Sequence, residues 1–171
     1  MKIGVFGIGN VLAHDDAVGP SVARILDAGY TFPDNVVVED LGTPALELPT
    51  HLAGFDHVIL IDAVAAAAEA GAIRLYRRDD ILRNPPGLRI SPHDPSLKET
   101  LLMLDLLGEA PDDIVLVGIV VKEASMGIGI SPEVAAAFPA AVSAVINELE
   151  SLGVDVTRRE EPRAADLWWA A

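Results

Sequence analysis

Residues 2–19 read KIGVFGIGNVLAHDDAVG, and this stretch decides the fold. An apolar run over residues 2–6 reads as a short strand, and a glycine turn follows it. Val18, Val22, Ile25 and Leu26 then recur at helical spacing. Pro20 lacks an N–H and crowds the carbonyl four residues back, so the first regular turn is expected to start near Gly19, with Asp16 just before it. A strand, a glycine turn and a helix are the first half of a βαβ unit. In most such units the turn cradles a phosphate, yet here Asp15 and Asp16 stand where the phosphate would sit.

The same alternation continues outward. Residues 35–39 read as a second strand and 44–52 as a short helix. HVILI (57–61) and IVLVGIVV (114–121) are almost wholly apolar, as strands covered on both faces should be. Residues 72–76 alternate like an edge strand, 97–107 form a helix, and 132–149 form the long final helix with Ser131 as its N-cap. The pattern predicts an α/β fold of three layers, α/β/α, with a mostly parallel sheet and helices on both faces. Residues 1–156 are expected to form a single domain. From Thr157 the chain turns charged and proline-bearing (TRREEPRAADLWWAA), which predicts a loose tail over 157–171 with Trp168 and Trp169 on a mobile end.

Composition excludes several classes of function. With 26 acids against 12 bases the formal charge is −14, the wrong sign for binding nucleic acid. The absence of cysteine rules out disulfides, thiolate metal sites and cysteine nucleophiles. No run is long and apolar enough to span a bilayer, and the opening MKIGVFGIGN enters a strand without signal-peptide features; a cytoplasmic protein is expected, with no membrane partner.

Ligands of open α/β sheets bind beyond the carboxyl ends of the strands. There the sequence places Gly7, Gly9, Asn10, Asp15 and Asp16 after the first strand and Asp40 after the second. Asp62 follows the third, and His93 and Asp94 lie in ISPHDPS. Gly7-x-Gly9-x-x-Leu12 resembles a dinucleotide fingerprint, but Leu12 replaces its third glycine. Asp15 and Asp16 would also repel a pyrophosphate, each by on the order of a few kcal/mol near 4 Å. Carboxylates with an imidazole favour a cation instead: zinc, nickel, cobalt or manganese suit that donor set. Simpler roles exist for each residue alone. Asp16 is placed to cap a helix, Asp62 to bind loop amides, His93 to serve a turn, and Asp40 to make an Asx-turn before Gly42. The convergence of Asp16, Asp62 and His93 on one sheet edge is what favours a metal site.

Taken in order, GIGNVLAHDDAVG, DLGTPALEL, VILIDAV, ISPHD and GIGISPEV resemble the hydrogenase maturation endopeptidases, from Met1 to about Leu152. The resemblance implies a twisted five-stranded sheet between helices and a protease that removes the C-terminal extension of a [NiFe] hydrogenase large-subunit precursor. It implies nickel ligation by Asp16, Asp62 and His93, with the nickel presented by the loaded precursor, and zinc or cadmium able to substitute in vitro. Asp40, Gly42 and Thr43 are expected to contact the substrate, and a monomer or weak oligomer is expected. The chain departs from the family pattern at Leu41 and Ala45, where glycines are usual, and at residues 120–123 (VVKE), where Gln-Pro-Glu is common. No residue is assigned as the catalytic base: there is no Ser-His-Asp arrangement and no His-Glu-x-x-His helix. Two other readings stand beside the endopeptidase: a non-proteolytic nickel-binding accessory protein, and a small nucleotide- or dinucleotide-binding protein.

Overall fold

The computed structural model describes residues 1–83, 87–88 and 96–170. Five strands form one sheet: β1 (Ile3–Ile8), β2 (Val36–Gly42), β3 (His57–Ala65), β4 (Ile73–Arg77) and β5 (Asp113–Val120). Their spatial order is β2-β1-β3-β5-β4, and a two-residue strand, Gly87–Leu88, pairs antiparallel with the end of β3. The first four run parallel and β4 is an antiparallel edge. The mostly parallel five-stranded sheet expected from sequence is therefore present, with β3 and β5 buried at its centre.

Alternation along the strands sorts side chains onto two faces. Ile3, Val5, Ile59, Ile61, Val117 and Ile119 meet α1 (Val18–Gly29) and α6 (Phe138–Ser151). Phe6, Val58, Leu60, Ile114 and Leu116 meet α2 (Leu48–Leu52), α3 (Arg78–Arg83) and α4 (Leu97–Leu107). Helix α4 has the bounds the sequence predicts, because both ends are set locally. Ser96 and Glu99 form a reciprocal capping box, and Gly108 closes the helix at φ 70°.

Three expectations shift. The final helix is two pieces, α5 (Pro132–Ala135) and α6, because Pro139 cannot continue a helix across its own position and instead sits in the first turn of α6. Strands β2 and β3 run further than apolar character suggests, so Asp40 and Asp62 lie inside the strands, with Asp62 opposite Gly118 of β5. The segment read as a loose tail is packed along α1. Thr157–Arg158 pairs antiparallel with Tyr30–Thr31, the Arg159 N–H donates to the Gly29 carbonyl, and the Arg163 N–H donates to that of Ala28. Trp169 is 1% exposed against 54% for Trp168. Its indole supplies the apolar area that charged, proline-bearing neighbours conceal in a composition average. Among the described residues no helix is long and apolar enough to cross a membrane.

Candidate active site

Strand order reverses between β1 and β3: the chain goes from β1 to β2 on one side and to β3 on the other. The crevice at such a switch point is where open α/β sheets bind ligands. Here the glycine turn closes against its own chain. Gly9 has φ +148°, and a Cβ at that position would lie 1.9 Å from the Asp16 carbonyl oxygen. The 3-10 turn His14–Ala17 is thus seated on the end of β1, filling the space a phosphate would need. The Gly9 N–H donates to the Gly42 carbonyl (2.8 Å), tying the ends of β1 and β2 together.

Asp16 lies in that 3-10 turn. The N-cap of α1 is Ala17, with no side-chain cap, so a capping role does not account for Asp16. Its carboxylate accepts instead from the Asn10 N–H at 2.8 Å, which aims it across the turn. Asp62 arrives from β3, 7% exposed, and accepts the Ala63 N–H at 2.7 Å. Burial pushes the Asp62 carboxyl well above the usual carboxylate range and the negative charge of Asp16 pushes it further, against the Ala63 N–H. One acid from the turn after β1 and one from β3 therefore feel each other at the switch point. A proton shared by such a pair, or a cation between them, relieves the repulsion.

Asp15, the other acid of the pair, does something different. It is fully buried and accepts from the Ser131 N–H (2.6 Å), the Ser131 hydroxyl (3.0 Å) and the N–H groups of Lys122 and Glu123 (both 3.0 Å). Burial alone would raise its pKa, but these donors together hold it below the ordinary value. The hydroxyl expected to cap the final helix is thus spent on Asp15. Backbone hydrogen bonds from His14 to Gly127 and from Gly127 to Leu12 complete the union of the two loops. A Cβ on Gly127 would strike the His14 ring. Nothing local in sequence marks this latch, since Asp15 and Ser131 are 116 residues apart.

Asp40, Gly42 and Thr43 line a cleft of about 380 Å³ together with Gly9, Asn10, Val11, Arg24 and Leu41. Asp40 does make the Asx-turn, accepting the Gly42 N–H at 2.9 Å, while its second oxygen accepts from Arg24 Nε at 2.9 Å. Arg24, on α1, is a cleft residue that sequence reasoning missed; only the fold brings it to Asp40. His93 and Asp94 lie outside the described residues, so the structure brings together Asp16 and Asp62 of the predicted triad and leaves its third member undescribed. Among the described residues no group of three His, Asp or Glu is arranged to hold a metal ion.

The family model for hydrogenase maturation protease matches residues 20–148. The hydrogenase 2 maturation protease of Escherichia coli K12 is 34% identical over 160 residues, covering 94% of this chain and 98% of that protein. The hydrogenase expression/formation protein HupD of Bradyrhizobium diazoefficiens is 32% identical over 164 residues, covering 95% and 85%. Among solved structures, the hydrogenase maturating endopeptidase HybD from E. coli superposes with TM-score 0.83 at 32% identity, covering 93% of this chain and 98% of that one. The family model takes in the chain from α1 through most of α6, Asp62 included, and the relatives above 30% identity cover nearly all of it: this chain is an endopeptidase that belongs to the hydrogenase maturation protease family.

Proposed function

We propose that this endopeptidase removes the C-terminal extension of a [NiFe] hydrogenase large-subunit precursor in the cytoplasm, and that it recognises nickel carried by that precursor. The observation that carries the reading is the interacting pair Asp16 and Asp62, one carboxylate accepting from the Asn10 N–H and the other buried, where burial and the Asp16 charge push its pKa up. Two acids paired at a binding crevice suit a cation delivered from outside, and His93 is the third ligand of the reading. The nickel is part of the substrate: thiolates of the precursor would carry it, which a protease without cysteine cannot contest. A metal so placed would polarise a nearby carbonyl. The chain's own part is to present the acids, to hold the cleft beside Asp40, Gly42 and Thr43 for an extended peptide, and to hold or release a proton at Asp62.

The test is precursor processing with and without nickel, followed by mass spectrometry. A shortened large subunit that forms only with nickel-loaded precursor supports the reading. Cleavage of metal-free precursor at the same rate would remove nickel recognition from it. An unchanged precursor after prolonged incubation would remove the substrate as well.

A further inference from the structure

We infer that Arg24 is a positioning residue for the cleft and that residues 157–170 are the strap that holds it in place; the inference rests on the processing reading above. The segment runs antiparallel to α1 and meets it step by step. Arg159 meets Gly29, Arg163 meets Ala28 and Asp27, Asp166 meets Arg24, and Trp169 meets Ser21. It therefore travels from the far end of α1 back to the turn that carries Asp15 and Asp16.

Arg24 is the point where strap and cleft join. Its guanidinium lies 4.5 Å from the Trp169 ring centroid, and its Nη1 donates to the Asp166 carbonyl at 3.1 Å. Its Nε donates to Asp40 at 2.9 Å. An arginine on a half-exposed helix face has many rotamers, and a planar guanidinium held on three sides keeps one of them. The strap thus fixes the direction from which Asp40 is gripped. Asp40 in turn holds the Gly42 N–H, and the Gly42 carbonyl holds the Gly9 N–H. A second line is shorter still: Trp169 Nε1 donates to the Ser21 hydroxyl at 2.9 Å, and that hydroxyl donates to the carbonyl of Ala17, the residue that closes the acid-bearing turn. The first line ends on the walls of the cleft and the second on the turn that carries Asp16, both from a segment that itself lines a separate groove against α1 and β2.

The experiment compares Trp169→Ala and Arg24→Lys with the parent chain by amide hydrogen exchange and by processing kinetics. Lysine keeps the charge and loses the fork. In both variants the Gly9 and Gly42 amides are expected to exchange roughly tenfold faster while amides of β3 and β5 keep their parent rates. KM for the precursor is expected to rise about fivefold or more with kcat nearly unchanged. Faster exchange spread evenly over β3 and β5 would reduce the segment to general stabilisation and overturn the inference, as would parent-like Gly9 and Gly42 protection in a variant whose Arg159 and Arg163 amides have become unprotected. If Trp169→Ala does not fold, Arg24→Lys decides alone. If the parent chain leaves every precursor uncut, the processing reading fails, and the exchange rates still decide the strap.

Discussion

Removing the Asp15 carboxylate tests how the two loops at the sheet edge are held. Asp15→Ala leaves three backbone N–H groups and one hydroxyl, from Lys122, Glu123 and Ser131, without their acceptor. A hydrogen bond to a charged group contributes about 1.5–3 kcal/mol, and such bonds on a single acceptor do not add fully. Leaving a buried donor without its acceptor costs about 1–3 kcal/mol. Lys122 and Glu123 are exposed, so water can satisfy part of what is lost, and a total of about 3 kcal/mol is expected. For a chain of this size that is a fall in Tm of roughly 6–12 °C. Asp15→Asn keeps one acceptor oxygen and should lose about half as much. Urea unfolding should show a lower midpoint at unchanged slope, and the Ser131 amide should exchange faster than those of β3. A Tm for Asp15→Ala within about 2 °C of the parent would refute the latch, because water alone would then replace all the bonds that the carboxylate accepts.

Further outcomes follow from the same geometry. Asp62 binds its proton more tightly folded than unfolded, so ionising it costs stability as pH rises above about 4. Asp62→Asn, measured in chelator, should therefore gain stability over the parent as pH rises from there, levelling off beyond the folded pKa; a gap that stays constant from pH 4 to 8 would contradict the burial argument. Gly9→Ala meets both a positive φ and the Asp16 carbonyl, and a loss of about 3 kcal/mol or more is expected in urea unfolding. Gly29→Ala, with open space around its Cβ, should be neutral or gain up to about 1 kcal/mol, and equal losses in both would count against the close approach. Asp62→Ala and His93→Ala should each weaken binding of nickel or cadmium; unchanged titrations in both would refute their assignment as ligands.

The layout of the fold is readable in sequence because its determinants are local. The almost wholly apolar runs of β3 and β5 read as central strands, and Ser96, Glu99 and Gly108 write both ends of α4 within a few residues. Asp16 and Asp62 are read at one sheet edge because each follows the apolar run of a parallel strand, at its carboxyl end. What eludes the sequence is whatever depends on distant partners. Asp15 and Asp16 are identical letters side by side, yet one turns inward to Ser131 and the other outward to the crevice. Arg24 reads as one more charge on an exposed helix face until Asp40 and Trp169 arrive from either side. Residues 157–170 average out as polar, and a single buried indole with its hydrogen bond outweighs that average.

The seating of Gly9 on the Asp16 carbonyl also limits what can vary around it. One end of the connection from β1 to α1 is wedged under its own later turn, and the middle is bridged to Gly127 through Ala13. A single inserted residue between Asn10 and Asp15 would have to bulge away from two fixed walls at once, rotating the acid at position 16 off the crevice. Length changes among related chains should accordingly collect elsewhere, and this connection should keep its residue count even where its letters differ.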